Sequence, residues 1–202
     1  MRYDTLSTFL TRLADRSPTP GGGATAALHA AQAAALVAMV GRYSDTARFE
    51  AHADRILAIV RAADRLRIAA LQLAERDIAA FGAVGTAYRL PKDSAERPAA
   101  ISAALVEAGR VPAGVVRVAD EILCLAEDLE PIGNRNVITD VAAAADAARA
   151  AATTARVNVE VNLGGITDPA VVAELTAAIA GVDDLTLRAD KVTATVREGL
   201  LR

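Results

Sequence analysis

Between Gly21 and Val40 the chain reads GGGATAALHAAQAAALVAMV, a run in which alanine outnumbers every other residue. Nothing else in the sequence restricts the fold so strongly. Alanine is the best helix former and the smallest core side chain, so the run specifies a helix that its neighbours can approach closely. The stretch Ala24–Val40 is nearly long enough to span a bilayer. It is mostly alanine, however, and carries His29 and Gln32, which favours a tightly packed central helix of a folded core. The glycines in front of it pose a question. Each gives up more backbone entropy on ordering than any other residue, so Gly21, Gly22 and Gly23 at a helix start need a reason.

The rest of the chain keeps the same period. Apolar residues recur at three and four positions almost everywhere, and almost no segment alternates with period two. This spacing predicts helices over about Thr5–Arg16, Gly22–Tyr43, Thr46–Tyr88, Ser94–Leu129, Val137–Leu163 and Ala170–Leu200. Pro112 falls inside the fourth, where a kink or restart is expected. Asp168 is the expected N-cap of the last, with Pro169 at its first turn. No repeat and no long linker divides the chain. The expected architecture is all-α: one domain over residues 1–202, an antiparallel bundle of about six helices with a long central helix and an Ala-rich close-packed one.

Composition excludes several functions. The net charge of −3 and an aromatic content of 3% leave neither a basic patch nor stacking platforms, so no nucleic-acid partner is expected. The single cysteine, Cys124, forbids an internal disulfide and fits a reducing, cytoplasmic setting. Charge mixed into the first residues argues against a signal peptide. The only histidines are His29 and His52, without Glu-x-x-His or His-Glu-x-x-His spacing, so no metal site is expected.

Three sets of polar residues stand out against this background. Asp77 shares a face with Phe81 and Val84 on a stripe that is otherwise apolar, where a carboxylate must find a cation, accept hydrogen bonds or take up a proton. Of 22 basic residues only Lys92 and Lys191 are lysines. A lysine can lose its proton when desolvated and an arginine cannot; Lys92 lies in the loop RLPKD, where a solvated role is the plainer reading. The four asparagines, Asn134, Asn136, Asn158 and Asn162, all fall in one stretch. The first pair precedes a helix. The second pair shares a helical face, which suits either a satisfied polar contact or a rim offering donors and acceptors to a heterocycle. Asp140 sits near a helix start, where an acid complements the helix dipole.

Taken in order, PTPGGGATAA, DIAAFGAVGTAYRLPKD and GNRNVITDVAAAADAARAAATTARVNVEVNL resemble the formiminotransferase-cyclodeaminase C-terminal domain family over almost the whole chain. The resemblance implies an all-α bundle that assembles as a homodimer or higher even oligomer. It implies chemistry on one-carbon units of tetrahydrofolate, the folate being substrate rather than cofactor. The reaction is either cyclisation of 5-formiminotetrahydrofolate to 5,10-methenyltetrahydrofolate with release of ammonia, or hydrolysis of the methenyl bridge to 10-formyltetrahydrofolate. Both need a proton shuttle beside a flat pteridine. On this resemblance Asp77, Lys92 and Asp140 are the expected catalytic residues. Gly21, Gly22, Gly23, Phe81, Asn134, Asn136, Asn158 and Asn162 are the expected substrate contacts. The alternative is a non-catalytic bundle that binds a folate or a protein partner. A cobalamin adenosyltransferase would need a basic nucleotide motif, which the sequence does not contain.

Overall fold

Small side chains decide what sits at the centre. In the computed structural model, which describes residues 3–44 and 47–201, α2 (Gly22–Arg42) is buried on several faces, with Ala26, Ala27, Ala30, Ala33, Ala34 and Val37 inaccessible to solvent. Three helices enclose it: α3 (Ala53–Tyr88), α4 (Arg97–Leu129) and α5 (Thr139–Leu163). α2 packs most extensively on α3 and α5, and α4 closes the fourth corner by packing on α3, α5 and α2. The Ala-rich run is therefore a core helix, as its composition predicts.

The remaining helices flank this core. α1 (Leu6–Ala14) starts at Thr5, whose hydroxyl caps the Thr8 N–H. Its one buried side chain is Phe9. The predicted helix over Ala170–Leu200 is two helices, α6 (Pro169–Ile179) and α7 (Val182–Leu200), separated at Ala180 and Gly181. Asp168 caps α6 through the Ala170 N–H, and Pro169 opens it, as expected. α7 buries Val182, Leu185, Ala189, Val192 and Val196, an apolar stripe at steps of three and four that packs on α5. The helix predicted to start at Thr46 begins as a 3-10 turn over Ala47–His52, and Thr46 itself lies outside the described residues. No strand occurs among the described residues.

The restart expected at Pro112 does not occur. α4 runs through Pro112 without a break. A proline cannot donate to the carbonyl four residues back, so the Ala108 carbonyl loses its helical partner. The Asn162 side chain of α5 supplies the replacement, Nδ2 donating to the Ala108 oxygen at 3.2 Å. The broken rung is bridged from the neighbouring helix, and this allows α4 to continue.

Candidate active site

α2 begins without a side-chain cap, because its N-cap is Gly21. The first N–H groups of any helix lack intrahelical acceptors and carry its positive end. Here a carboxylate from another helix answers them. Asp77, about two-thirds of the way along α3, accepts a hydrogen bond from the Ala24 N–H. A Cβ on Gly23 would lie 1.9 Å from Asp77 Oδ1, so only glycine at that position leaves room for the carboxylate. From α5, the Asn158 amide comes within 3.5 Å of where a Cβ on Gly22 would sit. Nothing crowds Gly21. The glycine run thus admits two polar side chains to the start of α2, which answers the question its entropy cost raised.

The Asp77 carboxyl is half-buried. Burial raises its pKa above the ordinary carboxylate value, and the Ala24 hydrogen bond opposes that rise without cancelling it. A carboxyl displaced in this direction holds its proton to higher pH, which suits an acid–base group.

The two asparagines of α5 stand beside it in a defined orientation. Asn158 Nδ2 donates to the Thr154 carbonyl at 2.9 Å. Asn162 Nδ2 donates both to the Asn158 carbonyl at 2.7 Å and to the Ala108 carbonyl at 3.2 Å. Their amide nitrogens are engaged on helix carbonyls. Neither Oδ1 receives a hydrogen bond from a described residue, and neither is enclosed. The rim offers both Oδ1 atoms as acceptors, and Asn158 Nδ2, with one hydrogen bond among the described residues, keeps a second N–H. Phe81, one turn beyond Asp77, is 51% exposed and free to meet a flat ligand.

The other nominated residues lie elsewhere. Asn134 is at the far end of α2, where its backbone N–H donates to Ser44 Oγ, its Nδ2 to the Tyr43 carbonyl, and its Oδ1 accepts from the Asn136 N–H. Within the chain, Asn134 and Asn136 close the turn that leads into α5. Asp140, in the first turn of α5, is partly exposed and has no hydrogen bond or ion pair with a described residue. It stands 18 residues from Asn158, about 27 Å along the helix. Lys92 is exposed in the α3–α4 loop and likewise has no partner among the described residues. Between Asp77 and the end of α3 at Tyr88 lie 11 residues, about 16 Å of helix. One chain therefore gathers Asp77, Gly22, Gly23, Asn158 and Asn162, and holds Asp140, Asn134 and Asn136 apart from them.

Sequence reasoning missed the Ala24 N–H and the Ala108–Pro112 pair. A mid-helix proline signals an orphan carbonyl four residues earlier, and that signal was available. A cavity of about 670 Å³ lies between α3, α4, α6 and α7. It contains none of the nominated residues, and its rim arginines Arg76 and Arg110 are paired with Glu107 and Glu174.

The family model for formiminotransferase-cyclodeaminase matches residues 5–181. The chain belongs to this family. A relative from Methylorubrum extorquens, named methenyltetrahydrofolate cyclohydrolase, is 38% identical over 85% of this chain and 85% of its own length. The formimidoyltransferase-cyclodeaminase of Sus scrofa is 33% identical over 84% of this chain, which spans only 32% of that longer protein. A crystal structure of formiminotetrahydrofolate cyclodeaminase from Thermotoga maritima matches with a TM-score of 0.89 and 29% identity, covering 100% of this chain and 99% of that one. The all-α bundle expected from the periodicity is the fold of that enzyme.

Proposed function

We propose that this protein is a folate one-carbon enzyme that hydrolyses 5,10-methenyltetrahydrofolate to 10-formyltetrahydrofolate. The observation that carries this reading is the half-buried Asp77 carboxyl, held at the glycine-lined start of α2 with its pKa raised. The cyclohydrolase relative, which matches along most of both chains, supports this substrate. Water adds to the cationic methenyl carbon while the Asp77 carboxylate takes one of its protons. The carbon–N5 bond then breaks, the carboxyl returns the proton to N5, and the remaining hydroxyl proton leaves to solvent as the formyl carbonyl forms. The positive end of α2 stabilises the carboxylate before it takes the proton and after it returns it. Phe81 supplies an apolar face for the pteridine.

Asp140 enters this scheme only from a second copy of the chain, whereas Lys92, in the loop that follows α3 past Asp77, lies on the same side of the bundle as the α2 start. Asp140 has no partner among the described residues of its own protomer, and the length of α5 separates it from the Asp77 end. We therefore propose a homodimer, or a higher even oligomer, in which the far end of one protomer meets the α2 start of the next.

A second reading is the cyclodeaminase reaction, favoured by the match to the Thermotoga maritima enzyme. There Asp77 would accept the N10 proton and deliver it to the departing nitrogen. Near-ultraviolet absorbance separates the two. The purified protein should accelerate loss of the 5,10-methenyltetrahydrofolate chromophore above the spontaneous rate. No acceleration, together with ammonia release from 5-formiminotetrahydrofolate, would overturn the hydrolase assignment in favour of the second reading.

A further inference from the structure

Pro112 is buried inside α4, yet it determines how Asn162 can behave. In an ordinary helix the N–H at position 112 would donate to the Ala108 carbonyl. Proline removes that donor, and the vacant acceptor draws in Asn162 Nδ2 at 3.2 Å. The second amide hydrogen of Asn162 goes to the Asn158 carbonyl at 2.7 Å. With both hydrogens committed to carbonyls, the carboxamide cannot turn over without placing oxygen against oxygen twice. Its Oδ1 is fixed as an open acceptor, one helical turn from the equally open Oδ1 of Asn158.

We infer that Pro112 is a positioning residue for substrate recognition: it locks Asn162 so that Asn158 and Asn162 together present a pair of acceptors to a ligand edge carrying N–H donors. This rests on the folate reading, since the pyrimidine edge of a pterin, with its ring N–H and amino group, has that donor pattern. A proline retained in the buried middle of α4 for packing alone would leave the ligand side unaffected when replaced.

The test is a cycle of Pro112→Ala, Asn162→Ala and the double variant, read by thermal denaturation without substrate and by kinetics on 5,10-methenyltetrahydrofolate. Pro112→Ala restores the helical N–H, so its Tm should stay close to that of the native protein. The freed Asn162 amide can then reorient, and KM should rise about tenfold, the loss of one hydrogen bond, with kcat little changed. Asn162→Ala alone orphans the Ala108 carbonyl and should lower Tm as well as raise KM. In the double variant Tm should recover towards native while KM stays high. A native KM for Pro112→Ala would overturn the positioning role. Additive Tm changes would overturn the lock itself and leave the folate reading intact. Failure of the native protein to turn over either folate would instead remove the recognition claim together with that reading, even with the Tm coupling present.

Discussion

Both ends of the α2–α5 pair carry asparagines, and the two ends use them in opposite ways. At the far end, Asn134 commits its side-chain oxygen and nitrogen and its backbone N–H to Asn136, Tyr43 and Ser44. At the near end, Asn158 and Asn162 anchor only their nitrogens and leave both oxygens open, beside a carboxyl whose pKa burial has raised. Closed hydrogen-bonding valence marks architecture, because buried polar groups are normally satisfied within the protein. Open valence around a perturbed acid marks a place built to receive something else. Two side chains at the far end are exceptions, the exposed Asn136 carboxamide and the Asp140 carboxylate, neither with a partner among the described residues.

The comparison breaks first at Asp77. Asp77→Asn keeps the shape and can still accept from the Ala24 N–H, but cannot carry a proton. Its kcat should fall by about 10²–10⁴-fold, the usual contribution of an acid–base group. The same variant tests the electrostatics. A raised folded pKa means that folding favours protonated Asp77. That stability is complete below the unfolded carboxyl value of about 3.9 and is lost as pH rises through the higher folded value. Denaturation across pH should therefore find Asp77→Asn more stable than native at neutral pH and level with it in acid. Greater stability of the native protein at neutral pH would contradict the raised value.

The glycines come next in size. Gly23→Ala drives a methyl into the Asp77 carboxylate. The side chain can rotate away, so the cost should fall on turnover, about a hundredfold for a catalytic group moved by an ångström. Gly21→Ala meets open space and should leave activity unchanged, with a stability cost of about 0.5–1 kcal/mol for alanine at the N-cap. Equal effects at the two positions would remove the cradle argument. Smallest on activity is Asn134→Ala. It deletes two side-chain hydrogen bonds and should lower stability by about 1–2 kcal/mol in denaturant melts, with KM unchanged.

Much of this was legible before the structure. The helical class follows from periodicity, and Asp77 was conspicuous as an acid on an apolar stripe. Three things were not legible, each for a physical reason. Hydrophobic spacing reports which face of a helix is buried, not how far apart two residues lie; the resemblance groups Asn134, Asn136 and Asp140 with Asn158, and neither says that within one chain the length of α5 separates them. Local rules break a helix at Pro112, whereas the cure for its orphan carbonyl comes from Asn162, 50 residues later. An asparagine's type does not say which of its atoms is left over; only its carbonyl partners decide that.

If the two ends are halves of one site, completed between copies of the chain, subunit complementation restores activity. Asp77→Asn and Asp140→Asn proteins, each with little activity, are mixed, dissociated and reassembled. A shared site predicts recovery of about a quarter of native activity, since random pairing restores one intact site in half of the dimers. A mixture no more active than its components, or full activity in Asp140→Asn alone, would contradict it.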